Sequence, residues 1–89
     1  MDVFLITYDL NNPGQNYAQL IKKIKSYPDW AKISDSSWCV WSAAQSTSIR
    51  DSLKVYLDQN DKLLVAKLSG QAAWSGLSSD VSNWLHENL

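Results

Sequence analysis

The segment Val3-Phe4-Leu5-Ile6, continuing through Thr7 and Tyr8 to Asp9, most narrows what this chain can become. It is rich in β-branched and aromatic residues, is too short for an ordinary helix, and lacks the polar alternation of a half-exposed strand. That is the pattern of a strand covered on both faces. A strand needs neighbours, and two apolar faces need two layers above and below. The chain must therefore build a sheet with this segment near its middle.

A chain of 89 residues hides roughly 60–65% of its unfolded surface, enough for one core and too little for two. We therefore expect a single domain over residues 1–89. Hydrophobic residues make up 45% of the chain and include five Trp, so burial can hold the fold without a disulfide or a structural metal. Cys39 is the single cysteine. Set among large apolar residues, it reads as a small hydrophobe, and the expected location is the reducing cytoplasm. The acidic Asp2 stands where a secretion signal carries positive charge. No apolar run approaches the about 20 residues that span a bilayer, so neither export nor membrane insertion is expected.

Polar punctuation divides the chain. Asn11-Asn12-Pro13-Gly14 is a turn that ends the first strand. From Gln15 to Tyr27, the residues Tyr17, Leu20, Ile21 and Ile24 recur at helical spacing, with Lys22, Lys23 and Lys25 on the other side, and Pro28 stops the helix. Trp30 to Ser34 and Ser37 to Ala43 read as strands joined at Asp35-Ser36. In the second of these, Trp38-Cys39-Val40-Trp41 leaves no polar face, and Trp38 and Trp41 point to opposite sides. Ser46-Thr47-Ser48 offers capping hydroxyls, Asp51 is expected in the first turn, and Ile49, Leu53, Tyr56 and Leu57 form the buried stripe of a second helix. Asp58-Gln59-Asn60-Asp61 is a polar turn before a strand over Lys62 to Leu68. Ser78 or Ser79 then caps a helix carrying Val81, Trp84, Leu85 and Leu89.

This order predicts an α+β fold: a ferredoxin-like βαββαβ sheet with both crossover helices on one side and an additional C-terminal helix. The second face of the sheet needs cover, which the C-terminal helix or a second copy of the chain would supply.

Formal net charge is -1, which argues against a strong field for nucleic acid. Lys22, Lys23, Lys25 and Lys32 nevertheless cluster in one stretch. They read either as a solvated face, the commoner case, or as phosphate contacts. With one His and one Cys far apart in sequence, no zinc cluster and no nucleophile-histidine arrangement is expected. His86 near a helix C-terminus reads as solvated. The five Trp read as core before they read as base-stacking platforms. Asp9 is the one candidate site: a carboxylate at the end of a buried strand can hold a hard cation, with Asn11, Asn12 or a twin Asp9 as partners. The competing reading makes Asp9 an Asx-turn or capping residue, and on residue type alone that reading is slightly ahead.

Tyr8-Asp9-Leu10 closing the first strand, Ser36-Ser37 before Trp38-Cys39-Val40, and Asp61 before Lys62-Leu63-Leu64-Val65 together resemble one superfamily. It contains the small CRISPR-associated dimeric protein of the spacer-acquisition complex and virulence-associated protein D. The likeness covers roughly residues 1–70 and is strongest to short SinR-like bacterial proteins, which also carry an Ala-Ala-Trp, here Ala72-Ala73-Trp74. The resemblance implies a ferredoxin-like homodimer in which Asp9, paired with its twin, is the catalytic metal ligand for Mg²⁺ or Mn²⁺ in a nuclease acting on RNA or DNA. Some members act only as DNA-clamping dimers. This chain departs from the pattern where Asn11-Asn12-Pro13-Gly14 replaces an Arg-rich stretch, and Arg50 is its single arginine. Its tail after Gly70 reads as helical where the acquisition protein contributes a strand to its partner. Two readings stand: a metal-dependent endoribonuclease or endodeoxyribonuclease, with Asp9 at its centre and Lys22, Lys23, Lys25 and Lys32 near phosphates, or a non-catalytic dimerisation or interaction module of a bacterial defence or toxin-type system.

Overall fold

The computed structural model describes residues 1–11 and 17–89. The elements are β1 (Asp2–Asp9), α1 (Ala18–Ile24), β2 (Asp29–Ser34), β3 (Ser37–Ser42), α2 (Ser46–Lys54), β4 (Lys62–Lys67) and α3 (Ser79–Asn88). The fold is α+β, with a four-stranded sheet in the order β2-β3-β1-β4. Every pairing is antiparallel, an arrangement compatible with the ferredoxin-like expectation.

β1 lies between β3 and β4, with Ile6 opposite both Trp38 and Val65. Side chains alternate across a strand, so β1 feeds two cores. Phe4, Ile6 and Tyr8 join Leu20 and Ile24 of α1, Trp38 and Val40 of β3, and Ile49 and Leu53 of α2. Each fully buried aliphatic side chain in this layer contributes about 1.5–3 kcal/mol of transfer free energy. On the other face Val3 and Cys39 meet Leu85 of α3, with Leu5, Trp41, Val81 and Trp84 packed around them. The second face is thus covered by the chain's own C-terminal helix. At the far end of that face the cover stops. Leu64, in register with Thr7, is 57% exposed, and the Thr7 and Ser37 hydroxyls share a hydrogen bond of 3.0 Å.

Three strands differ from the expected bounds by one residue: β2 starts at Asp29 rather than Trp30, β3 ends at Ser42 rather than Ala43, and β4 ends at Lys67 rather than Leu68. α1 ends at Ile24 rather than Tyr27, because the next amides tighten: Ser26 N–H donates to Lys23 C=O and Tyr27 N–H to Ile24 C=O. The expected start of that helix at Gln15, and the Asn12-Pro13-Gly14 turn, lie outside the described residues. α2 begins at Ser46 behind Gln45, which makes no side-chain cap. Asp51 consequently falls in the second turn, where it pairs with Arg50 at 2.9 Å instead of facing the helix amides. β2 slips register between Lys32 and Ser34, a bulge at Ile33 just before the Asp35-Ser36 turn.

The link from β4 to α3 turns at Gly70 (φ +94) and Gly76 (φ +82), a left-handed backbone that other residues adopt only at a cost. Ser78 then caps α3, accepting from Val81 N–H at 3.2 Å. Among the described residues no helix is long and apolar enough to cross a membrane.

Candidate functional site

At the C-terminal end of β1, Tyr8 and Asp9 point to opposite faces and do different work. Tyr8 is buried in the core under α1 and α2. Its hydroxyl accepts from the Trp38 indole N–H at 3.0 Å and donates to the Asp35 carbonyl at 3.3 Å, tying β1 to the β2–β3 hairpin. Asp9 is exposed on the opposite face, in register with Lys62. It borders a shallow depression of about 210 Å³ lined also by Thr7, Lys62 and Leu64. Among the described residues the Asp9 carboxylate accepts no hydrogen bond and forms no ion pair. The Asx turn weighed for Asp9 would use the amide two residues on, and Asn11 N–H is committed elsewhere.

It donates to Asp61. The Asp61 carboxylate accepts from Asn11 N–H at 2.8 Å, from Asp58 N–H at 3.0 Å, and from the Tyr17 hydroxyl at 3.1 Å to both oxygens. One side chain therefore holds the end of β1, the entry to α1 and the turn before β4. Burial pushes the Asp61 carboxyl up, but the hydrogen bonds from Asn11, Asp58 and Tyr17 outweigh it and hold the group below its ordinary value. The carboxylate that organises this end of the molecule is Asp61, and among the described residues Asp9 has no such partner.

Among the described residues no three His, Cys, Asp or Glu side chains gather at one point. For a divalent cation, one chain supplies Asp9 with the Lys62 ammonium as its cross-strand neighbour, and that set does not make a Mg²⁺ or Mn²⁺ site by itself. The resemblance expects the second carboxylate from the twin Asp9 of a second copy. Cys39 is no alternative centre, since burial pushes its thiol up to about 11 and keeps it protonated and unreactive. His86 lies exposed at the end of α3, its ring 4.9 Å from that of Trp74.

The candidate lysines separate into two groups. Lys22 is exposed on α1, and Lys23 sits 5.9 Å from the Tyr27 ring centroid. Lys25 and Lys32 converge. The Lys25 ammonium is 5.3 Å from the Trp30 centroid and 5.9 Å from that of Trp38, and the Lys32 ammonium is 5.7 Å from Trp38. The nearest carboxylate to either, among the described residues, is Asp35, 4.0 Å from Lys32. The register places Lys32 opposite Trp38, whose side chain is in the core beneath α1 and α2. Asp9 alternates onto the α3 side of the sheet. The structure thus unites Lys25 with Lys32 and leaves Asp9 apart from both.

No family model, curated protein or solved structure matches the chain. Two residues of the site were not singled out from sequence as functional. Asp61 carries part of the resemblance but sits in a stretch whose composition is that of a polar turn, and Trp30 is of a residue type that reads as core although it is 36% exposed. The one signal for Trp30 was its place on the same strand face as Lys32.

Proposed function

We propose that this protein is a nucleic-acid-associated module of ferredoxin-like fold that works as a homodimer. The observation that carries this reading is the convergence of Lys25 and Lys32 on the Trp30 and Trp38 rings, a cationic pair with no carboxylate closer than 4.0 Å among the described residues. Ammonium groups placed this way attract phosphates in a salt-dependent manner, and Lys22 and Lys23 add charge along α1. Support for the fold assignment is the central placement of β1 and β3 with α1 and α2 in one shared core. Support for the dimer is β4, an edge strand whose Leu64 is 57% exposed. The motif order Tyr8-Asp9, Ser36-Ser37 and Asp61 supports both.

Fluorescence polarisation with labelled RNA and DNA tests the binding. The wild type should bind with an affinity that falls as salt rises, and Lys25→Ala with Lys32→Ala should weaken binding at least tenfold and flatten the salt slope, each phosphate contact contributing about 0.7–0.9 to it. Binding indifferent to both substitutions would overturn the assignment of these lysines.

In its catalytic form, this reading has Asp9 and the twin Asp9 of a second copy hold Mg²⁺ or Mn²⁺, and the module cleaves RNA or DNA. Equal cleavage by wild type and Asp9→Ala in either metal would remove Asp9 from the chemistry. The second reading is a non-catalytic interaction module, and the placement of a cation, Lys62, in register with Asp9 rather than a second acid favours it. Both readings require a dimer, so a monomer at micromolar concentration in light scattering would count against each.

A further inference from the structure

Resting on the nucleic-acid reading, we infer that Trp30 is a stacking platform that makes the Lys25–Lys32 surface select unpaired nucleotides over duplex. The other tryptophans are spoken for. Trp38 is 1% exposed, and Trp41, Trp74 and Trp84 pack in the second core with α3. Trp30 stands at an open edge, on β2, with no strand beyond it among the described residues. It is 36% exposed, and its ring leans on Trp38 at 5.6 Å between centroids with an interplanar angle of 59°. It is therefore braced by Trp38 and partly open to solvent, with the Lys25 ammonium over it.

Two features near this ring define what it can receive. One is the pair of ammonium groups: Lys25, 5.3 Å from the Trp30 centroid, and Lys32, 5.7 Å from that of the neighbouring Trp38. The other is a depression of about 370 Å³ bounded by Trp30, Asp80 and Trp84, with Lys32 shared between the two. A ligand that satisfies both carries a flat π face next to a negative charge, and a nucleotide in a single strand does so. The acids fix its direction: Asp80 repels phosphate from the α3 end of the depression, and Asp35 stands beside Lys32. The phosphate belongs between Lys25 and Lys32, with the base laid on Trp30 toward the depression. Lys25, which now sits over the Trp30 ring, exchanges that contact for the phosphate. In duplex the base faces are already stacked, so only the lysine contacts remain available.

The test compares Trp30→Leu and Trp30→Tyr with the wild type, using labelled single-stranded RNA, single-stranded DNA and duplex DNA in fluorescence polarisation. Trp30→Leu keeps apolar cover over Trp38 and removes the aromatic face. It should weaken single-strand binding about tenfold or more, on the scale of losing one base stack, while leaving duplex binding within about twofold, because the phosphate term is retained. Trp30→Tyr should restore most of the loss, a rescue that a purely structural role would not give. The RNA and DNA arms show whether the 2′-hydroxyl matters at this position. If wild type binds but Trp30→Leu has no effect, or weakens single strand and duplex equally, the inference falls and the lysine reading stands. If the wild type binds none of the three probes, the underlying reading falls with it and the surface belongs to a protein partner.

Discussion

Asp61 joins three parts of the chain through a single carboxylate. Its partners Asn11 and Tyr17 lie 50 and 44 residues away in sequence, so Asp61→Ala should lower the thermal and urea midpoints, and Asp61→Asn, which keeps an acceptor oxygen, should lower them less. The pH dependence has a definite sign. The folded carboxyl lies below its ordinary value, so its contribution is fully present above the unfolded pKa of about 3.9 and is lost as pH falls through the lower folded value. Urea melts at neutral pH should separate wild type from Asp61→Asn, and melts well below pH ~4 should bring them together; a gap that widened on acidification would contradict this. The clamp was not legible in sequence. Asp58-Gln59-Asn60-Asp61 has the composition of any solvated turn, and the donors it serves come from a distant segment. Asp9, by contrast, stood out because it follows an apolar strand, yet local sequence did not show that its neighbour Asn11 would be held by another acid.

Among the elements, β1 and β3 are readable because Val3-Phe4-Leu5-Ile6 and Trp38-Cys39-Val40-Trp41 are unbroken apolar runs, so both of their faces need cover over that length whatever the topology. The role of α3 was only half readable. Val81, Trp84 and Leu85 announced an apolar stripe, but a stripe does not say whether its counterpart is the chain's own sheet or another molecule. Helix boundaries erred where i→i−3 hydrogen bonds took over after Ile24 and where Gln45, a residue with no capping preference, preceded α2. Since α3 closes the second core through buried Leu85, Leu85→Ala should cost about 2–4 kcal/mol in urea unfolding. The same variant should bind a hydrophobic dye before global unfolding, as the Val3, Leu5 and Trp41 face is uncovered. A loss below about 0.5 kcal/mol would mean that α3 contributes little to the fold, as expected of an ordinary surface substitution.

For the molecule as a whole, the sheet separates two chemistries. The face under α1 and α2 leads at its β2 edge to the Lys25, Lys32 and Trp30 cluster. The face under α3 ends at Thr7, Ser37, Asp9 and Lys62, where the helix no longer reaches. Binding and any metal chemistry at Asp9 therefore sit on different sides of one layer, and a strand held at Trp30 reaches Asp9 only around the sheet's end or on a second copy. The nucleic-acid and nuclease tests are independent for this reason: Asp9→Ala should leave the affinity of the Lys25–Lys32 surface unchanged.

The burial of Cys39 under α3 makes its thiol a clock. A sulfur packed against Val3 and Leu85 and held protonated by burial meets an alkylating reagent only when the C-terminal helix lifts or the whole chain unfolds. Labelling should therefore be slow in the wild type and faster in Leu85→Ala, whereas a core substitution on the opposite face, such as Leu53→Ala, should speed it only through global opening. The difference between those two rates times the departure of one helix from one sheet, with a reporter the protein already carries.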